Sequence, residues 1–539
     1  MPFRNRVLCA VVVLVFLSVA AGALPNDRRL VPVDSDVYRL LRMVRLEAGL
    51  SVPWSSRSLT VADVERQLAP AREAGLSPAG MRAVAEIERL LGVTPVYESP
   101  EEQFAFALPG AVTLEGFANT ADTEEEWLYP FRRRSPLLAL PFEAWVGDSA
   151  YARLDIDLRH AKFATLELNR PVNIPLSIEE IDYLFPYRGY GFLGTDQLFL
   201  QLGRDQFHWG SARTGTLVLS DEADYYDALR FGFGVDRFRF TQFVAYLDPW
   251  LTPEERQALD PGAPNAPTRE QAKTLFFSRI ELDLPGSVQI GLVEGLIYRD
   301  AQPDLRLFNP LNIYHSYFEG SRGSSILGLE VNWAPTRFVN LYGEYAMMQV
   351  TTPFKASTIA NSLGFLGGVE TSVPVGQGFA SGYAEVVYTN PWYGIRETPV
   401  ASWHWRRQIR PNFGDLGDQI VTVPIGYAYG PDSLVFGFGA GYEVPGLYRV
   451  ALDMVVARLG EQTIETPYER SFEAQALRTP TGIVEERITA ELHGEYHPPQ
   501  WPSVTTGGRI GFVNARNHRN VAGDHFLDFQ ISPFLRVSF

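Results

Sequence analysis

From about residue 112 to the C-terminus the sequence keeps a period of two, interrupted alternately by very short and very long connections. No other feature restricts the fold as much. A period of two sends successive side chains to opposite faces of a strand. Counting back from Phe539 through Val537, Leu535, Pro533, Ile531, Phe529 and Leu527 gives an apolar set. The interleaved Ser538, Arg536, Phe534, Ser532, Gln530, Asp528 and Phe526 are mostly polar. Tyr151, Arg153, Asp155, Asp157 and Arg159 alternate in the same way with Ala152, Leu154, Ile156 and Leu158. A soluble sandwich turns such aliphatics inward; a membrane barrel turns them to lipid and gives the charges a wet lumen. At about 3.3 Å per residue the terminal segment is long enough to cross a bilayer.

The connections choose between these two folds. Tight reversals occur at Val146–Ser149, Val235–Arg237, Leu282–Ser287, Trp333–Arg337, Tyr442–Leu447 and His497–Gln500, several fixed by proline or glycine. Between them run long connections near 205–225, 248–273, 299–323, 350–360, 390–432, 460–484 and 514–524. Short turns at one end and long loops at the other describe an outer-membrane barrel. The fold expected is therefore an all-β transmembrane barrel of about 18 antiparallel strands over 106–539, with sixteen strands as the alternative count. The fourth strand is placed near 163–170, and the last, 525–539, pairs with the first, 112–119. With that placement 171–195 is a long connection on the short-turn side. Its Ser177–Phe185 stretch opens like a capping box, so it is a candidate plug for a lumen that would otherwise hold water; a rim helix is the alternative.

The N-terminus carries an export signal. Arg4 and Arg6, the apolar run Val7–Leu17 and the small residues Ala21-Gly22-Ala23 form a signal peptide over 1–23, too short to span a bilayer as a helix. Cys9 lies inside it, so the mature chain lacks cysteine and has no disulfide framework. Its removal takes away two positive charges and deepens the net charge from −16 to −18, which excludes nucleic acid as a partner. Residues 24–105 read as a small α-helical periplasmic domain. Val37, Leu40, Leu41 and Val44 have helical spacing, Thr60 with Asp63 forms a capping box, and Ser77-Pro78 opens a third helix.

Motif chemistry is sparse. The sequence has no phosphate loop, HExxH, GxSxG or Cys/His metal pattern, so no cofactor, metal or enzymatic activity is expected. The weak exception is a hydrolase reading of His315 with Ser321, Ser324 and Ser325. The densest local signal is Leu202-Gly203-Arg204-Asp205-Gln-Phe-His208-Trp209-Gly210, followed by Thr216-Leu-Val-Leu-Ser220-Asp221. A strand ending G-R-D, then W-G and an aliphatic stretch closing on S-D, resembles the capsule-assembly Wzi family. That resemblance implies a surface-polysaccharide-binding barrel of the outer membrane, closed to free diffusion, with a helical N-terminal segment.

The longest loop permits such binding independently. It holds Trp392, Tyr393, Trp403, Trp405, Arg406, Arg407 and Arg410, aromatic faces for sugar rings and guanidiniums for acidic groups. The alternative is an interfacial aromatic belt whose arginines face lipid or lipopolysaccharide-like headgroups. For Arg204, Asp205 and Trp209 an ion-paired structural role weighs above ligand contact. The expected partners are outer-membrane lipid, a lipopolysaccharide-like glycolipid, a surface polysaccharide, and the barrel-assembly machinery that would read the terminal Phe539. A solute channel lined by Arg153, Asp155, Asp157, Arg159, Arg279, Glu281 and Asp283 is the competing function.

Overall fold

The computed structural model describes residues 26–539 apart from 122, 124–125, 163–168, 185, 249, 251–271, 301–303, 310–311, 315–322, 350–359, 397–400, 411–418 and 470–475. The signal peptide read over 1–23 lies outside the described residues.

Eighteen antiparallel strands close into a barrel. They are β1 (Ala111–Glu115, continued by Ala118–Asn119), β2 (Leu138–Val146), β3 (Ala150–Leu158), β4 (Gly189–Gly194), β5 (Leu198–Asp205) and β6 (Tyr226–Val235). There follow β7 (Phe238–Leu247), β8 (Ala272–Leu284), β9 (Val288–Asp300), β10 (Gly323–Thr336), β11 (Val339–Gln349) and β12 (Ser362–Val375). The last six are β13 (Gly378–Thr389), β14 (Ser433–Val444), β15 (Tyr448–Leu459), β16 (Glu485–Tyr496), β17 (Val504–Arg516) and β18 (His525–Ser538). β18 closes on β1 through Val537↔Val112, Leu535↔Leu114 and Gln530↔Asn119.

The exposure pattern of β18 decides between barrel and sandwich. Leu527, Phe529, Ile531, Leu535 and Val537 are 41 to 57% exposed, whereas Asp528, Gln530 and Ser532 are at most 4% exposed. Apolar residues face outward and polar ones inward around a wall without free edges, the arrangement that lipid requires. Leu154 and Ile156 on β3 follow the same rule. The chain folds as a β-barrel of the membrane-spanning type.

The fourth strand differs from the sequence expectation. Residues 163–168 lie outside the described residues, and 189–194, the end of the candidate plug, form β4 between β3 and β5. The 159–188 connection therefore belongs to the long-loop end, and short and long connections alternate without exception. The expected capping box at Ser177 does not form: its side chain makes no cap hydrogen bond. Glu180 instead pairs with Arg170 and accepts from Leu176 N at 3.1 Å. Leu176, Ile178 and Tyr183 are more than 60% exposed, while Asp182 and Tyr187 are buried.

This segment also repairs a seam. β2, β3 and β4 have 9, 9 and 6 residues, against 11 to 14 from β8 onward. β1 meets β2 only at Ala111↔Ala139 and Val112↔Leu138. Its far half pairs with 171–173 instead, Phe117 N donating to Pro171 O at 2.7 Å and Asn173 N to Glu115 O at 3.1 Å. The Asn173 side chain donates to Thr113 O (2.8 Å) and Ser135 O (3.2 Å) and accepts from Glu115 N (3.0 Å). Asn173→Ala leaves these buried groups unpaired, and a loss of about 1–3 kcal/mol is expected. Thermal unfolding followed by circular dichroism in detergent checks it; an unchanged midpoint would show that the seam does not depend on Asn173.

Three helices, α1 (Asp36–Glu47), α2 (Val61–Glu73) and α3 (Pro78–Leu91), pack at the short-turn end. The reciprocal Thr60–Asp63 box and Ser77 cap α2 and α3, as the sequence predicts, and Ser35 caps α1. Val37, Leu41, Val44, Val64, Leu68, Ala83 and Ile87 share one apolar core. The helical unit is fastened to successive turns of the wall. Arg28 Nε donates to Asp148 O (2.8 Å), Ser287 Oγ to Gly49 O (3.0 Å), Arg337 Nε to Glu47 O (2.6 Å) and Arg82 Nη2 to Gln377 (2.8 Å).

Candidate functional site

The lumen is filled from both ends. From the short-turn end, the link between α1 and α2 pushes Trp54, Ser55 and Ser56 among inward charges of the wall. Trp54 Nε1 donates to Asp283 (2.9 Å), Ser55 Oγ to Glu330 (2.9 Å) and Ser56 N to Glu281 (3.2 Å). Arg279 pairs with Glu330 at 2.6 Å. From the long-loop end, 206–225 turns inward until Gly210 N donates to Ser55 O (3.1 Å) and Arg42 Nη1 to Ser211 O (3.4 Å). The two stoppers touch.

An irregular loop buried inside a barrel must have its N–H groups satisfied. Inward glutamates supply the acceptors. Arg213 N and Thr214 N donate to Glu385 (2.8 and 3.0 Å), and Leu217 N donates to Glu344 (2.8 Å). Glu370 takes the Arg213 guanidinium at 2.5 Å. Sequence reasoning did not single out these glutamates; the signal was their place on the inward register of β11, β12 and β13.

The residues of the densest sequence motif are engaged with other parts of the chain here. At Gly203, φ is +130° and a Cβ would lie 2.4 Å from Gly189 O, so only glycine lets β4 and β5 approach. Arg204 forks onto both oxygens of Asp227 (2.8 Å each) and donates to Leu184 O at 3.1 Å. Asp205 accepts from Gln201 (2.7 Å) and Gln206 N (2.8 Å). Trp209 is 2% exposed, its ring centroid 5.4 Å from that of Phe277. Gly210 has φ +137°, and a Cβ there would meet Thr216 at 2.4 Å. Ser220 donates through N to Ile425 O (3.0 Å) and through Oγ to Gly426 O (2.5 Å). Asp221 lies 3.5 Å from His208 Nδ1. The motif turns the chain into the lumen and clasps it there.

The aromatic and basic loop corrects an expectation. Its strands His404–Arg410 and Gln419–Pro424 form a hairpin packed on the inward loop, and Trp392, Tyr393, Trp403, Trp405, Arg406 and Arg407 are all buried. Trp405 stacks on Tyr226 at 5.4 Å, and Trp403 Nε1 donates to Ser324 Oγ at 3.0 Å. Tyr393 donates to Leu217 O, and Trp392 packs edge-on against Tyr468. Arg407 pairs with Asp224 at 2.6 Å. Arg410 lies on the same hairpin, opposite Gln419. The ring faces that sequence reasoning offered to sugar are covered by protein, because a loop this long buries its own apolar side. Ser324 and Ser325 are likewise buried, whereas His315 and Ser321 lie outside the described residues.

The proposed channel lining is also engaged. Arg153 pairs with Asp155 (2.7 Å) and Glu143 (3.2 Å), and Arg159 donates to Phe131 O (3.0 Å). Asp157, next to them on β3, is part-buried.

No family model matches the chain, and no curated protein matches it. Among solved structures, a Wzi from Escherichia coli overlays 95% of this chain and 99% of its own at TM-score 0.58 and 14% identity. This chain has the Wzi fold. That Wzi is described as an outer-membrane protein involved in group 1 capsule assembly and as a carbohydrate-binding β-barrel. Two Pseudomonas aeruginosa barrels, OccD3 and OprD, overlay 80% of this chain and 91 and 95% of theirs. Their TM-scores are 0.41 and 0.40, at 10 and 8% identity. The Wzi overlay spans the helical N-terminus as well as the barrel wall.

Proposed function

We propose that this Wzi-type barrel binds or anchors a cell-surface polysaccharide on its external face, with its helical unit in the periplasm and no enzymatic role. The supporting observation is the meeting of the two stoppers at Gly210–Ser55 inside the wall. A barrel filled in this way has its long loops left for function. The paired strands His404–Arg410 and Gln419–Pro424 scaffold that face. Among the described residues, the connections 460–469 and 517–524 are accessible there, with exposed Glu461, Thr463, Glu465, Arg519 and Asp524. The carbohydrate binding stated for the Escherichia coli Wzi agrees with this reading.

The test is a glycan array probed with the purified barrel. A saturable signal is expected, lost when 460–469 and 517–524 are shortened and kept in Trp405→Phe, whose ring is internal. A folded barrel that binds no surface glycan would sink the reading.

A second reading, a solute channel, is favoured by one strip of wall. Asp453 on β15, His493 and Glu491 on β16, and Arg509 on β17 keep 15 to 41% of their side chains exposed within the barrel. Bilayer conductance separates the two readings.

A further inference from the structure

Where α1, the inward loop and the wall meet, two adjoining cavities of about 200 and 90 Å³ remain. Arg39, Arg42, Arg213 and Arg449 line both, and Arg57 lines the larger. The carboxylates lining the larger cavity are Asp34 and Asp36, and both lie at its exposed rim. Asp34 is held by Arg188 at 2.8 Å and Asp36 by Arg39 at 2.8 Å.

Around the larger cavity five arginines face two aspartates, while the smaller cavity adds Glu370, Asp453 and Glu443, the last paired with Arg39. Arg42 and Arg213 share one carboxylate, Glu370, at 2.5 Å each. Arg42 Nη2 is buried without a hydrogen-bond partner. Arg57 donates, among the described residues, to a single acceptor, the carbonyl Val33 O, at 3.0 Å. Among the described residues, the Arg449 guanidinium makes no hydrogen bond or ion pair, although it borders both cavities. Burial, then the neighbouring cations, holds Arg42 and Arg57 below the ordinary guanidinium pKa in spite of Glu370 and Asp221. Arg57 and Ser58 are both left-handed, φ +36° and +52°. Such backbone costs energy in residues other than glycine and persists where the surroundings hold it.

We propose that this junction is an oxyanion-binding site for a phosphate- or carboxylate-bearing group no larger than a single sugar unit. Guanidiniums converging from three separate parts of the chain match such a group through paired N–H donors. At about 30 Å³ per water, the larger cavity has room for an anion with part of its hydration. The site joins the helical unit to the tip of the inward loop, so an anion there would tie the two stoppers together. It is independent of the glycan reading of the external face, which a glycan array tests separately.

Isothermal titration of the full-length barrel in detergent tests the site, with sodium phosphate and sodium glucuronate as probes. Sodium chloride at matched ionic strength and glucose serve as controls. Saturable heat is expected with at least one oxyanion and with neither control. Phosphate alone would indicate a phosphate group, and glucuronate alone a uronic acid unit. Arg449→Gln breaks no ion pair, so its thermal unfolding is expected to match the parent while its oxyanion affinity falls about tenfold. Arg57→Gln is expected to weaken binding in the same direction. Heats equal to those of chloride, or an affinity unchanged in Arg449→Gln with a normal unfolding midpoint, would overturn the assignment.

Discussion

In planar bilayers the intact barrel is expected to pass no steady current, and a variant lacking the inward loop is expected to conduct in discrete steps. An eighteen-stranded wall would otherwise enclose a water-filled lumen. The obstruction is a column, Ser55 from the helical unit meeting Gly210 from the loop, with Leu217 and Thr214 fixed to the wall by Glu344 and Glu385. Replacing 209–219 with a short glycine–serine linker removes the upper half of that column. It also removes the amides that those glutamates hold, leaving inward carboxylates facing water. Large steady currents from the intact barrel would sink the occluded reading and favour a solute channel. Silence from both proteins would show that the helical unit alone blocks the lumen. Excising 171–195 is a different experiment: it takes out β4, and failure to assemble is expected.

Asp224→Asn is expected to free the hairpin at 404–424 from the barrel interior. Asp224 is 2% exposed and pairs with Arg407 at 2.6 Å and Lys162 at 3.4 Å. One carboxylate thus joins three connections: 159–188 through Lys162, the inward loop that carries it, and the hairpin through Arg407. Removing one partner of a buried pair leaves the other charge uncompensated, at a cost of about 3–5 kcal/mol. Limited proteolysis of the folded barrel should then cut within 390–432 in the variant and not in the parent; equal resistance would refute the clasp. Acid should mimic the substitution. Burial would raise the Asp224 pKa, but Lys162, Arg407 and Arg159 outweigh burial and hold it below the ordinary carboxylate value. A depressed folded pKa stabilises the clasp above the unfolded value of about 4. That stability is lost as pH falls through the folded pKa. The hairpin should therefore stay protected at neutral pH and become cleavable only in strong acid.

Local chemistry was legible to different depths. Helix caps act over three residues, so Thr60–Asp63 and Ser77 could be read directly. β4 could not. At 6 residues, with glycine or an aromatic at each of its first four positions, Gly189–Gly194 offers too short an alternation to outrank the aliphatic run before it. Trp403, Trp405 and Arg407 read as an exposed sugar site because aromatic and basic residues serve a ligand and a buried clasp equally well. What separates the two uses is Tyr226 and Asp224, about 180 residues away in the chain.

The period of two and the alternation of turns were enough to determine a closed barrel of about eighteen strands and the outward face of β18 that ends at Phe539. Each follows from rules acting along a single strand or across one turn: side-chain direction, hydrogen-bond satisfaction in lipid, and reversal geometry. The contents of the lumen were decided only by the tertiary structure. Gly210 meeting Ser55, the glutamates that accept the loop amides, and the arginines around the junction cavities come from segments brought together only when the wall closes. Contacts between such segments leave no period in the sequence. An inward carboxylate looks the same there whether its partner is water, a solute or the protein's own loop.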